Sequence, residues 1–213
     1  MKGKTMSINK NYQNIIFDLG GVLIKWKPND IIADLFKNHP RETIKKLQNE
    51  FSKVFSHQSW SDLERGKITN EEAISNLPES IDKTSFSFFL EHFHKYLTPL
   101  EKGLSILRRV KHAGFNTYVL SNFHKTPFEM VYARNSFWNL FEGMVVSYRE
   151  SVMKPEKEIY EILLTRYNLN PHESIFIDDL QKNLDGAKKL GIDGILCTSQ
   201  RSMQTDLEQL GIL

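Results

Sequence analysis

Short apolar runs that stop at polar or glycine-rich turns recur along this chain, with helical patterns between them. Gln13-Asn-Ile-Ile-Phe-Asp18-Leu ends at Gly20-Gly21. Asn116-Thr-Tyr-Val-Leu-Ser121-Asn, Ser174-Ile-Phe-Ile-Asp178-Asp179 and Asp193-Gly-Ile-Leu-Cys197 repeat the form, and Gly143-Met-Val-Val-Ser147 does so with lower contrast. A run that is apolar throughout, rather than alternating, reads as a strand buried on both faces. Helical patterns cover Leu100 to His112, closed by Gly114; Pro155 to Tyr167, closed before Pro171; and Gln181 to Leu190, closed by Gly191. Such alternation packs as βαβ units, so the predicted fold class is α/β, a Rossmann-like parallel sheet with helices on both faces.

Residues 29 to 98 break the rhythm, with short helical stretches, many aromatics and no convincing strand. The segment is predicted to be an all-helical cap inserted into an α/β core made of 12–28 and 99–213, with Pro28 and Pro99 as punctuation. Phe86, Phe89 and Phe93 recur at helical spacing and are expected in the cap's own core. The 28 Lys and Arg nearly balance the 26 Asp and Glu, so charge gives no case for nucleic acid or an anionic membrane as partner. The single cysteine, Cys197, excludes an internal disulfide and reads as an inert core residue. Met1 to Asn14 is polar and basic with no apolar stretch behind it, and no spanning segment follows, so a cytoplasmic location is expected.

In an open parallel sheet, ligands bind beyond the carboxyl ends of the strands, where strand order reverses. The chemistry-bearing residues fall there. Asp18 ends the first run, Ser121-Asn122 the second, Asp178-Asp179 the run from Ser174, and Lys154 follows the run from Gly143. Any one of them has a plain reading as a turn, cap or solvated charge; their joint placement is the signal. Three carboxylates on adjacent strand ends would repel and raise one another's pKa, so the cluster calls for a bound cation, and hard oxygen ligands suit Mg²⁺. Lys154 adds a fixed positive charge, and with Pro155 opening a helix it would be held by the turn. Ser121 and Asn122 are expected to donate to a phosphoryl oxygen, while Gly20 and Gly21 bring free backbone N–H groups close to substrate. The seven histidines show no metal-ligand spacing.

Phe17-Asp18-Leu-Gly-Gly-Val-Leu, Leu120-Ser121-Asn122, Lys154-Pro155 and Ile177-Asp178-Asp179-Leu-Gln-Lys-Asn183 resemble, in order, the four motifs of the haloacid dehalogenase-like hydrolase superfamily. The likeness is nearest to bacterial sugar-phosphate phosphatases with a small helical cap, which the stretch from Trp60 through Arg65-Gly66 also resembles. It implies Asp18 as nucleophile, Ser121 as phosphoryl binder and Lys154 as transition-state stabiliser. It further implies Asp18, the Gly20 carbonyl, Asp178 and Asp179 around Mg²⁺, with Asp178 bound directly or through water, and Asn183 as an orienting residue. The expected activity is phosphomonoester hydrolysis of a small phosphorylated metabolite, a sugar phosphate leading, through an aspartyl-phosphate.

One position departs from the superfamily pattern. Most of its phosphatases carry a second aspartate two residues after the nucleophile, as general acid and base, and here Gly20 stands there. A water, His124 or Arg65 are the candidate substitutes. The same glycine keeps a non-catalytic phosphate-binding regulator open as a reading, beside a phosphomutase and a haloacid dehalogenase; the Asp178-Asp179 pair argues against the last.

Overall fold

The structure, a computed structural model, describes residues 11–213; the first ten residues of the polar N-terminal stretch lie outside them. Five parallel strands, β1 (Asn14–Phe17), β2 (Asn116–Ser121), β3 (Gly143–Val146), β4 (Ser174–Asp178) and β5 (Asp193–Leu196), form one sheet in the order β3-β2-β1-β4-β5. The five apolar runs are thus all strands, including the low-contrast one from Gly143. Ile15, Phe17, Val119, Ile175 and Ile177 face one layer of helices; Ile16, Tyr118, Leu120, Val145 and Phe176 face the other. Both faces being covered is why the runs are apolar rather than alternating.

Between β1 and β2 lie α1 (Pro28–Leu35), α2 (Arg41–Val54), α3 (Gln58–Glu64), α4 (Asn70–Ser75), α5 (Lys83–His92) and then α6 (Glu101–His112). Local chemistry starts several of them. Pro28 opens α1, Thr69 and Glu72 form a capping box on α4, and Asp82 accepts from Ser85 N at the head of α5. The chain enters and leaves this helical segment side by side: Lys25 N donates to Thr98 O at 2.8 Å and Leu100 N to Leu23 O at 2.8 Å, with an antiparallel bridge between Ile24 and Pro99. Phe86, Phe89 and Phe93 are buried, at 1%, 0% and 3% exposure.

After β2 come α7 (Lys125–Ala133), α8 (Ser147–Glu150) following β3, α9 (Lys157–Arg166), α10 (Gln181–Lys188) following β4, and α11 (Gln200–Gln209) at the end. Pro155 was expected to open the helix after Lys154, but α9 starts at Lys157. A turn closed by Glu156 N to Met153 O at 2.8 Å, with the Glu156 carboxylate accepting from Met153 N, occupies the intervening residues. No described helix is long and apolar enough to cross a membrane.

Candidate active site

β1 is central, with β2 on one side and β4 on the other, so the reversal of strand order lies at its carboxyl end. Phe17 is in register with Ile177, and Asp18 N continues the ladder to Ile177 O at 2.9 Å, which sets Asp18 beside Asp178. The chain then turns sharply, with Leu19 O accepting from the N–H groups of Val22, Leu23 and Ile24. Gly21 makes that turn at φ +73°, and a Cβ there would stand 2.6 Å from Asp179 Oδ2, so only glycine lets the loop pass the carboxylate. Gln200 of α11 holds the loop from behind through the carbonyls of Gly21 and Val22, at 3.0 and 3.2 Å.

Lys154, 1% exposed, supplies the positive charge. Its Nζ donates to Asp178 Oδ2 at 2.7 Å and to Leu120 O at 3.0 Å, and forms an ion pair with Asp18 Oδ1 at 2.9 Å. Burial alone would depress its pKa, but the two carboxylates outweigh that and hold it above the ordinary lysine value. Asp178 is wholly buried and fully engaged. Oδ1 accepts from Leu180 N at 2.8 Å and Asn183 Nδ2 at 2.9 Å, and Oδ2 accepts from Lys154 and again from Asn183. Asn183 therefore fixes the rotation of the Asp178 carboxylate.

Asn122 lines the cavity and also clamps the Lys154 backbone reciprocally, Nδ2 to Lys154 O at 3.0 Å and Lys154 N to Oδ1 at 2.8 Å. One amide N–H and the amide oxygen thus position the lysine, and the second N–H is left over. Ser121 is different: its Oγ is buried without any hydrogen-bond partner. A buried orphan hydroxyl is costly and uncommon unless a ligand completes it.

Oxygens of Asp18, Asp178 and Asp179 lie within 4.8 Å of one another. Burial pushes the Asp18 carboxyl well above the usual carboxylate range against the pull of Lys154, and Asp178 and Asp179 push the same way. Asp179 is raised by burial and by Asp178. One lysine does not neutralise three carboxylates. Asp178 has no lone pair to spare, while Asp18 Oδ1 has the lysine's charge beside it but no well-aligned hydrogen bond. The donor set suits a hard divalent cation such as Mg²⁺, which Asp18 and Asp179 could hold directly, with Asp178 oriented beside them.

These groups form the floor of a cavity of about 390 Å³. Its walls are largely apolar and come from distant parts of the chain: Trp26, Phe55, Trp60, Phe93, Leu97 and Met153. Trp26 stacks on Trp60 at 6.1 Å between ring centroids, and both pack against Phe93. Three titratable groups beyond the floor also line it, His124, Glu64 and Lys182. His124, 5% exposed, packs edge-on to Trp60 at 4.2 Å; burial drives its pKa down to about 3, and its Nε2 has no partner. Glu64 ends α3 and was not singled out from sequence. Its spacing of four from Trp60, on the same helix face, was the available signal. Arg65, one of the candidate substitutes for the missing acid, is paired with Glu156 and Asp62.

A family model described as haloacid dehalogenase-like hydrolase matches residues 15–197. The sesquiterpene phosphatase AstK of Aspergillus oryzae is 28% identical over 201 residues, covering 93% of this chain and 96% of its own. A D-ribitol-5-phosphate phosphatase of Bacteroides thetaiotaomicron is 23% identical over 198 residues, 85% of this chain and 89% of its own. Among solved structures, a HAD family enzyme of Bacteroides thetaiotaomicron superposes with a TM-score of 0.70 at 25% identity, covering 92% of this chain and 99% of that one. Its magnesium complex superposes with a TM-score of 0.66 at 25% identity, covering 88% and 93%.

Proposed function

The chain belongs to the haloacid dehalogenase-like hydrolases, and from that premise we propose that it is a magnesium-dependent phosphomonoesterase working through an aspartyl-phosphate on Asp18. The observation that carries this reading is the division of labour among the carboxylates. Asp178 is locked by Lys154, Asn183 and Leu180 N, whereas Asp18 and Asp179 keep oxygens for a cation and for phosphorus. Displacement at carbon, as in a dehalogenase, has no use for a second acidic pair beside the nucleophile. Asp18 attacks phosphorus, Lys154 offsets charge on the phosphoryl oxygens, and the Ser121 hydroxyl donates to one of them. Mg²⁺, when bound, would neutralise charge on the phosphoryl group. Residues 29–98 act as the cap over a core of 12–28 and 99–213, an assignment supported by the adjacent segments, bridged at Ile24 and Pro99, through which the chain enters and leaves.

The substrate is a small phosphate monoester, and the cavity wall bears on its alcohol. A sugar phosphate needs several hydrogen-bonding partners for its hydroxyls. Above the phosphate floor the cavity offers few beyond Glu64, His124 and Lys182, among aromatic and aliphatic side chains, with Leu180 46% exposed at its edge. That lining favours an apolar alcohol, in line with the sesquiterpene phosphatase likeness; the ribitol-5-phosphate phosphatase likeness supports the sugar alternative. Phosphate release from p-nitrophenyl phosphate, a prenyl phosphate and a hexose phosphate separates these readings. Turnover is expected with Mg²⁺, absent with EDTA and absent in Asp18→Asn, with kcat/KM highest for the prenyl ester. Turnover that survives EDTA or Asp18→Asn sinks the phosphatase reading; a preference for the hexose ester sinks only the apolar one.

A further inference from the structure

Gly20 occupies the place of the acid that a two-step phosphatase normally sets beside its nucleophile. Backbone geometry does not force a glycine there, since Gly20 has no positive φ. A Cβ would stand at ordinary contact distance, 3.6 Å from Trp26 Cβ, with the indole Cγ and Cδ1 at 3.9 and 4.0 Å. The indole of Trp26 borders the space a longer side chain would take. The chemistry nevertheless needs a proton, because an unactivated alkoxide is a poor leaving group and the second step needs a base for water.

Resting on the phosphatase reading, we propose that Glu64 supplies this missing function, as proton donor to the leaving oxygen and then as base for the attacking water. It is the one carboxylate in the cavity lining, among the described residues, outside the Asp18, Asp178 and Asp179 cluster. Its position is held by the core rather than by its own helix alone. Ser147 Oγ, at the end of β3, donates to Glu64 O; Arg65 pairs with Glu156, two residues beyond Lys154; and Gly66 lies against the Tyr148 backbone. These three contacts pin the end of α3 over the sheet edge beside Asp18 and the turn that carries Lys154.

The charged surroundings suit a group that must both give and take a proton. Burial raises the Glu64 carboxyl to about 7, and the nearby Asp18 charge adds to the rise. The Trp60 hydrogen bond, Lys154 and Lys182 oppose it. Arg65 is turned to Glu156 and Asp62, and His124 beside Trp60 is neutral. Two of the earlier candidates, Arg65 and His124, do not suit both halves of that role. Arg65 cannot act as a base, and with its pKa near 3 His124 carries no proton to give at neutral pH.

The proton balance closes over two steps. Asp18 Oδ bonds to phosphorus as the P–O bond to the alcohol breaks, and the Glu64 proton passes to the departing oxygen, releasing ROH. Water then bonds to phosphorus as the P–O bond to Asp18 breaks, its proton returns to Glu64, and phosphate leaves.

The test compares Glu64→Gln with the wild-type chain on an alkyl and an activated aryl phosphate. The aryl leaving group needs no acid, so its kcat/KM should stay within about tenfold, while the alkyl value falls by about 10²–10⁴. With the aryl ester, kcat should fall and a burst of phenol should appear, because hydrolysis of the aspartyl-phosphate has lost its base. The basic limb of the alkyl pH profile should vanish in Glu64→Gln. In Trp60→Phe it should move to higher pH, since the hydrogen bond that favours the carboxylate is removed. Equal losses on both esters, or an unchanged alkyl profile, overturn the Glu64 role alone. Absence of any wild-type turnover overturns the phosphatase reading with it.

Discussion

Lys154 brings one charge into a space that three carboxylates share, and its loss would be felt differently from any other at the site. With the lysine 1% exposed and Asp178 wholly buried, Lys154→Met leaves Asp18 and Asp178 facing one another uncompensated. The expected cost is about 3–5 kcal/mol of stability, seen as a lower Tm, together with loss of activity. Ser121→Ala should behave in the opposite way. Its Oγ has no partner to lose, so stability should stay within about 0.5 kcal/mol, while phosphate affinity in the presence of Mg²⁺ falls by about 10–100-fold for one lost hydrogen bond to a charged group. Calorimetric melts and phosphate titrations of both variants check the contrast. A Ser121→Ala chain that melts early would mean that the hydroxyl serves the fold. Asp18, Lys154 and the Asp178-Asp179 pair were legible in sequence because strand ends alone bring them together. The clamp of Asn122 on the Lys154 backbone was not, since the direction of its amide depends on where Lys154 passes.

The end of α3 joins the helical segment to the sheet, and Gly66 sets how closely it does so. At φ +65° it occupies a region that costs other residues strain, and a Cβ there would meet Tyr148 O at 2.5 Å. Gly66→Ala is therefore expected to lose about 1–3 kcal/mol of stability. By lifting Glu64 away from the strand ends it should also lower alkyl phosphate turnover by about 10²-fold, the scale of an ångström's misplacement. Thermal melts with steady-state rates at a temperature well below the transition test this, and full activity in a destabilised chain would show that α3 need not sit so close. Elements were legible in proportion to what they bury. The central strands declared themselves as apolar runs, and β3, four residues long, did so weakly. α11 went unread because it buries only Met203 and Leu207, and its cap pairs Ser199 with Ser202 rather than with the Glu or Gln that marks a capping box in sequence. Pro155 misled because its ring suits a first helical turn, while the turn at Met153 to Glu156 takes precedence.

Alternation of strand and helix was enough to predict the sheet and the edge that bears the chemistry. The cavity above that edge was not predictable, because Trp26, Trp60, Phe93 and Met153 come from four separate stretches and meet only once the chain is folded. What the whole molecule holds in consequence is a store of uncompensated negative charge between β1 and β4. Asp18 and Asp179 are both displaced toward protonation by burial and by their acidic neighbours, so a cation bound at this edge would relieve their mutual repulsion. Because the unfolded chain scatters these carboxylates, Mg²⁺ should bind the folded state almost exclusively. At a concentration 100 times its Kd it then adds about 2.7 kcal/mol, which for a chain of this length raises Tm by about 5–10 °C. Melts in EDTA and in excess Mg²⁺ read this directly, without any assumption about substrate. Asp179→Asn should abolish the increment and also raise the EDTA baseline, since it removes one of the repelling charges. An identical Tm in EDTA and Mg²⁺ for the wild-type chain would mean that the three carboxylates are balanced from within, and the case for a cation at this edge would fall.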